Sequence, residues 1–311
     1  MWAIEIDRFG PPSTMVKRLV DTPKPASNEV LIEVMASGVN PKDTYIRKGR
    51  LALMSGKKFP MRLGYDLSGL VRQCGQGQSR FKEGDRVFGS ISAWAGGAYA
   101  EFAAVDVNEL AILPDSLTFE QGASLPIAAL TSYQALTKLA RIKSGAQILI
   151  NGASGGVGIF AIQLAKHFGA NVTTLSSAAN LDFCRNLGSD TPLDYRATSL
   201  KSLSNTFDII FDVFGNLSFT RVKDNLSAQG IYITTVPRFE IFKDSVLTPV
   251  GKRARLVIVK SNAADLETIA SLTAKGVIQT IVDRSFTFDE VAEAHKYSET
   301  HRARGKIVLV R

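Results

Sequence analysis

The segment Ile148-Leu149-Ile150-Asn151-Gly152-Ala153-Ser154-Gly155-Gly156-Val157-Gly158 constrains this chain more than any other. An apolar strand runs into a glycine-rich turn, and an apolar helix follows through Gln163-Leu164-Ala165-Lys166. Strand, turn and helix in that order are the context a dinucleotide fingerprint requires. Gly155 lets the backbone approach a pyrophosphate, and Gly158 lets the helix pack closely on the strand. The diphosphate would sit at the helix N-terminus, where free N–H groups and the helix dipole favour an anion. One position departs from G-x-G-x-x-G: Ala153 stands where the first glycine belongs. The competing reading is a tight strand-to-helix turn with no ligand. The surrounding pattern favours the cofactor, with Ala153, Ser154, Gly155, Gly156, Val157 and Gly158 as its candidate contacts.

The rest of the chain has two textures. The first third is glycine-rich, with short β-rich runs: Val30 to Val34, Asp66 to Val71 and Arg86 to Ser90. Short strands between turn signals predict an antiparallel barrel or sandwich. The texture changes near Thr118, a candidate N-cap with Gln121 at the capping-box position. Strands and helices then alternate. Strands are expected at Gln147 to Ile150, Asn171 to Leu175, Phe207 to Val213, Ile231 to Thr235 and Arg255 to Val259. Helices are expected at Val157 to Phe168, closed by Gly169, and at Leu181 to Leu187, closed by Gly188. Such alternation predicts a doubly wound parallel sheet. The terminal strand, Lys306 to Val310, belongs to neither local context and is expected to return to the first domain. The domains are therefore 1–119, 120–261 and a return segment, 262–311.

At 311 residues, two domains are expected. The chain is 45% hydrophobic and 21% charged, enough apolar material for two cores. No apolar run approaches the roughly 20 residues of a membrane-spanning helix. The N-terminus alternates like a strand and lacks a signal-peptide pattern. Two cysteines cannot build a disulfide framework. Together these point to the cytoplasm. The net charge of +8 comes from scattered Lys and Arg interspersed with acids. It reads as a solvated surface, with no nucleic acid expected, although peripheral membrane association stays open.

The choice of dinucleotide rests on the end of the second strand. An NAD site usually places Asp or Glu there for the ribose 2′-OH. This chain has Ser176-Ser177-Ala178-Ala179-Asn180 and no acid. A carboxylate would repel a 2′-phosphate, whereas Ser176 and Ser177 can donate to it, so NADPH is preferred. Arg185, Tyr195 and Arg196 are candidate partners for the phosphate. Alternatively, the two serines only cap the next helix.

The nucleotide turn resembles that of quinone oxidoreductases. So do Ala36-Ser37-Gly38-Val39-Asn40-Pro41-Lys42-Asp43 with Tyr45-Ile46-Arg47-Lys48-Gly49, Gly64-Tyr65-Asp66-Leu67-Ser68-Gly69, Gly84-Asp85-Arg86-Val87-Phe88-Gly89, Gly96-Gly97-Ala98-Tyr99-Ala100-Glu101-Phe102 and the ending Arg302 to Leu309. These stretches occur in the expected order along the whole chain. The resemblance is to the zinc-free, quinone oxidoreductase branch of the medium-chain dehydrogenase/reductase superfamily. It implies an α/β chain: a Rossmann domain inserted in a GroES-like, mainly β catalytic domain, an active site in the cleft between them, and homodimers in many relatives.

Zinc-dependent members of that superfamily hold a catalytic metal with Cys, His and Cys. The matching positions here are Asn40, Tyr65 and Ile127, none an ordinary zinc ligand. No metal is therefore expected, and without a Lewis acid a simple alcohol is a poor substrate. Hydride addition to a quinone or an α,β-unsaturated carbonyl fits better. By resemblance Asn40, Tyr45 and Thr131 border the nicotinamide. Asn40 would bond it or a substrate oxygen, and Tyr45 would donate to the developing enolate or relay a proton. Each has a purely structural alternative. Asp43 is read as the N-cap of a turn from Thr44 to Lys48. Val213, Phe214 and Gly215 lie at the carboxyl edge of the sheet, where doubly wound folds bind ligands. Tyr65, Trp94, Tyr99 and Phe239 are candidates to line an apolar substrate pocket. The alternative from another class is a non-catalytic NADPH-binding structural or regulatory protein.

Overall fold

A computed structural model describes residues 1–92, 96–203 and 206–311. The chain forms two compact units. The first comprises Met1–Leu130, Lys260–Gly276 and Thr280–Arg311, and the second Thr131–Val259 with Val277–Gln279. The change of unit thus comes at Leu130, later than the change of texture at 119/120. Helix Phe119–Ser124 packs on the strands of the first unit, which keeps it there. Its start is the expected capping box: Thr118 Oγ1 accepts from Gln121 N at 3.2 Å, and Gln121 Oε1 accepts from Thr118 N at 2.9 Å.

The first unit opens with β1 (Trp2–Ile6), β2 (Val16–Leu19), β3 (Glu29–Val39), α1 (Pro41–Arg47), α2 (Ala52–Ser55) and β4 (Met61–Arg62). Next come β5 (Asp66–Cys74), β6 (Arg86–Ser90), β7 (Phe102–Asp106), β8 (Leu110–Ile112) and α3 (Phe119–Ser124). Helix α4 (Pro126–Gln134) carries the chain out of this unit. Among the described residues the order in the larger sheet is β15-β16-β3-β5-β6-β8, with β7 also on β3. Its last two members are β15 (Val282–Thr287) and β16 (Lys306–Val310) from the chain's end. Strand β16 runs antiparallel to β3, with Ile307 opposite Val39 and Leu309 opposite Ser37, so the terminal strand returns as expected. Val30, Ile32 and Val34 on β3 pack with Ile4, Leu67 and Leu309 in one core.

The second unit contains β9 (Gln147–Asn151), α5 (Gly158–His167), β10 (Asn171–Ser176), α6 (Leu181–Asn186) and β11 (Thr191–Asp194). It continues with β12 (Phe207–Asp212), α7 (Phe219–Val222), β13 (Leu226–Thr234), α8 (Phe239–Leu247) and β14 (Arg253–Leu256). The sheet order is β11-β10-β9-β12-β13-β14, all parallel. That is a doubly wound sheet whose chain reverses direction of travel at β9/β12. Gly169 and Gly188 follow α5 and α6 with φ of 76° and 109°, the left-handed closure that glycine permits. The last strand differs from expectation. It spans Arg253–Leu256, two residues earlier than the apolar run suggested, because Arg253 and Arg255 pair in register with Ile231 and Ile233, the Arg255 guanidinium donating to Ser245 O and Thr248 O.

Two helices, α9 (Ala263–Ala274) and α10 (Val291–Glu299), return with the first unit. No described helix is long and apolar enough to cross a membrane.

Candidate functional site

The second unit carries the glycine-rich edge. The tight conformation falls on Gly152, at φ 81°, one position before the Ala153 that replaces the expected glycine. A Cβ on Gly152 would stand 2.9 Å from Phe214 Cβ, so glycine is required both by φ and by space. Ala153 is buried, and its methyl is tolerated because the turn is made one residue earlier. Gly158 is required by packing: its Cβ would meet the carbonyl oxygens of Gly152 and Ala153 at 2.4 and 2.5 Å. Above Gly155 there is room, with Gly152 O at 3.4 Å the nearest atom to a Cβ built there. Helix α5 begins after Val157 and no side chain caps it. An open backbone approach and an uncapped helix N-terminus fit a diphosphate.

At the outer end of this edge, Asn180 Nδ2 donates to Ser154 Oγ at 3.0 Å, while the buried Asn180 Oδ1 has no partner among the described residues. An unpartnered buried acceptor beside the turn fits a ribose hydroxyl. Sequence reasoning passed over Asn180; its signal was its place in the acid-free turn. Ser176 is buried at the end of β10 and its hydroxyl turns to Ser177 O at 3.3 Å. Ser177 begins a short 3₁₀ turn with no side-chain cap bond. Tyr195 lies alongside, its N–H on Ser176 O at 3.0 Å, its ring half exposed, and its hydroxyl accepting from Arg196 Nε at 3.1 Å. Arg185 pairs with Asp182 on α6, both side chains exposed.

After β12 the chain runs through Val213, Phe214 and Gly215. Val213 N and Phe214 N bond Asn151 O, and Gly215 has φ 76°. Beyond it lies a cavity of about 330 Å³ lined by Gly215, Leu217, Tyr232, Thr234, Arg238 and Ile241, among others. Phe239 is not among the residues that line this cavity; it stands 82% exposed at the start of α8. Thr131 is buried in α4, as a helix hydroxyl of the second unit.

The first unit holds a buried polar cluster at the N-terminus of α1. Asn40 is the N-cap residue and Pro41 the first helical residue, so α1 starts three residues before the expected turn. Asp43 is the third residue of the helix rather than its cap, and its Oδ2 accepts from Asn40 N at 2.7 Å. The Asn40 amide is bonded on both sides. Its Nδ2 donates to Asp66 Oδ2 at 2.9 Å, and its Oδ1 accepts from Lys306 Nζ at 2.6 Å. Asp66 Oδ1 takes Ile127 N at 3.0 Å. Burial raises both carboxyls, Asp43 to about 7, and lowers the Lys306 ammonium. Lys306 was hidden in a strand pattern that reads as apolar, and Asp66 in a glycine-rich stretch.

Tyr65 is fully buried, with Lys42 Nζ 3.5 Å from its ring centroid. It presents no surface to a substrate, which corrects its assignment to a pocket. Tyr99 is equally buried, its hydroxyl 3.2 Å from His295 Nε2. Arg47 Nε donates to His295 Nδ1 at 3.2 Å, and burial together with the nearby Arg47 and Lys48 charges pushes His295 down to about 3. Tyr45 is half-buried on α1, with Arg50 5.6 Å from its ring centroid. Trp94 lies outside the described residues. Among those described, no group of three or more His, Cys, Asp or Glu side chains could hold a metal.

Residues 26–115 match the model of the alcohol dehydrogenase GroES-like domain, and residues 187–309 that of the zinc-binding dehydrogenase. A spinach (Spinacia oleracea) protein named quinone-oxidoreductase homolog, chloroplastic, is 34% identical, covering 99% of this chain and 98% of that protein. The Arabidopsis thaliana NADPH-dependent alkenal/one oxidoreductase, chloroplastic, is 31% identical over 92% of this chain and 73% of its own length. The solved quinone oxidoreductase of Coxiella burnetii superposes with a TM-score of 0.93 at 32% identity, covering 100% of this chain and 99% of that one. With a GroES-like β unit, an inserted doubly wound unit and relatives matched along nearly its whole length, the chain belongs to the medium-chain dehydrogenase/reductase superfamily, on its quinone oxidoreductase-like branch.

Proposed function

We propose that this protein uses NADPH to reduce a quinone or an α,β-unsaturated carbonyl, without zinc. The observation that carries the reading is the edge at Gly152–Gly158: room above Gly155, an uncapped α5, and the unpartnered Asn180 Oδ1. NADPH, when bound, would supply the hydride. The chain's own residues bind and orient it: the turn takes the diphosphate, and Ser177, Tyr195 and Arg196 take the 2′-phosphate. Arg196 supplies the positive charge that the turn lacks. NADPH is favoured over NADH because no carboxylate follows β10.

Zinc independence is supported by the residues at the three ligand positions. Asn40 is bonded to Asp66 and Lys306, Tyr65 sits under Lys42, and Ile127 offers its backbone N–H to Asp66. A second cation beside the buried Lys306 ammonium would be repelled. Tyr45, half-buried on α1, is the candidate proton donor to an enolate oxygen; Asn40 and Thr131 are the remaining candidates to border the nicotinamide. The same reading makes the protein a homodimer of a reducing compartment, the cytoplasm; free Cys74 and Cys184 are compatible with it. Dissociation constants for NADPH and NADH, followed by cofactor oxidation with 1,4-benzoquinone and a short enone, test the proposal. Tighter NADPH and turnover of either acceptor support it. Tighter NADH, or no turnover with either acceptor, overturns it.

A further inference from the structure

The sheet order places β9 and β12 side by side with their connections leaving in opposite directions, and a dinucleotide crosses the sheet at such a point. Two side chains end these strands, Asn151 and Asp212, and they are paired in register. Asn151 Nδ2 donates to Asp212 Oδ1 at 2.7 Å and to Asn216 Oδ1 at 2.7 Å. Asp212 is fully buried and accepts three further bonds. Gly215 N reaches Oδ1 at 2.8 Å, Leu217 N reaches Oδ2 at 3.0 Å, and the Tyr232 hydroxyl reaches Oδ2 at 2.9 Å. One carboxyl therefore joins the end of β9, the 213–217 loop and β13. The loop is set tightly: a Cβ on Gly215 would stand 2.1 Å from Val236 Cγ2.

We propose that Asp212 and Asn151 form a clasp at the crossing point that positions the 213–217 loop for the nicotinamide half of the cofactor. The inference rests on the NADPH reading above. The diphosphate turn and the adenosine edge lie on the β9-β10-β11 side, and the loop held by Asp212 lies on the other. Opening the clasp frees the loop, because two backbone N–H groups lose their acceptor, but leaves Gly155, Ser154, Asn180 and Tyr195 in place. Asp212 is a positioning residue in this account, acting through the loop backbone.

The test compares NADPH with 2′,5′-ADP, which carries only the adenosine half. Asp212→Asn puts an amide NH₂ against donors, so at least one bond is lost whichever way the group turns. The dissociation constant for NADPH should rise about tenfold or more, while that for 2′,5′-ADP stays within about twofold. Should Asp212→Asn fail to fold, Asn151→Ala carries the same test. It removes one of the four donors to Asp212 and the bond to Asn216 in the loop, while Gly215 N and Leu217 N keep their acceptor, so the same split should appear with smaller amplitude. A melting curve accompanies each variant, since a merely structural group would lower the melting temperature without separating the ligands. Variants that lose both ligands in parallel, or neither, while the wild type binds both, overturn the clasp. A wild type that binds neither ligand overturns the cofactor reading itself.

Discussion

The two units handle buried polarity in opposite ways. In the second, the edge at Gly152–Gly158 is backbone and small side chains, and neutral donors, the Asn151 amide, the Tyr232 hydroxyl and two backbone N–H groups, converge on the single carboxyl of Asp212. In the first, ionisable groups are buried together: Asp43, Asp66 and Lys306 around Asn40, and Arg47 with His295 a turn further along α1. The neutral edge is sensitive to added atoms and to shape. The charged cluster is sensitive to lost charge and to pH, because each member is stable only beside its partner.

The sharpest break between them comes from deleting one partner in each. Lys306→Met strips the ammonium from Asn40 Oδ1 and leaves Asp66 buried without it. Removing one side of a buried charged pair costs about 3–5 kcal/mol. Tyr232→Phe removes one of four donors to Asp212 and should cost only about 1 kcal/mol. Urea unfolding of the two variants measures both, and equal losses would dissolve the contrast.

Catalysis sharpens it next. Tyr45 is proposed to assist an enolate, which a quinone does not need, since its product spreads the charge over a ring. Tyr45→Phe should lower enone kcat/KM by about 10²-fold and spare the quinone. Parallel values for the two acceptors would reduce Tyr45 to packing.

The pH response follows from His295 and Asp43, with opposite signs. His295 falls to about 3 in the fold and titrates near 6.5 when unfolded. The unfolded chain therefore binds the extra proton, and stability is lost as pH falls from about 6.5 toward 3. Asp43 is raised from 3.8 to about 7, so the folded chain holds the extra proton and stability is lost as pH rises from about 4 through 7. His295→Gln should be less stable than wild type at pH 7. The gap should narrow by about 2 kcal/mol by pH 5, because only the wild type then carries the imidazole penalty. A gap independent of pH would mean that His295 takes up its proton in the fold as readily as in the unfolded chain, and a widening gap that the fold favours the charged imidazole.

The smallest effect is expected at the neutral edge. Ser176 is buried, so the half-buried Ser177 is the cleaner place to add charge. Ser177→Asp should weaken NADPH about tenfold and leave NADH nearly unchanged, through repulsion of the 2′-phosphate. Equal weakening of both cofactors would remove Ser177 from the phosphate site.

The same contrast explains what the residues disclosed in advance. The glycine-rich strand-turn-helix was legible because its parts are consecutive: strand, glycines and helix follow one another without a break, and Gly152 and Gly158 each have a local steric reason. The return of Lys306–Val310 to the first unit was legible too, as a strand with no local partner. The cluster around Asn40 was not, because Lys306 is 266 residues from Asn40 and His295 is 248 from Arg47. No periodicity links such pairs, and a lysine opening an apolar strand reads as a surface residue. The burial of Tyr65 was hidden for a related reason: aromatic character says nothing of which side of a sheet or helix faces water. Asp212 was visible only as the last but one residue of a strand expected to run to Val213; its four donors come from three separate segments.

The central claim is hydride transfer from NADPH to an activated acceptor without metal. The most direct measurement uses NADPH carrying deuterium at C4 of the transferred face, a short enone, and protein treated with EDTA. Deuterium should appear at the β-carbon of the saturated product, at a rate equal to that of untreated protein. Product without deuterium, or transfer that is lost on chelation and restored by zinc, would contradict the account.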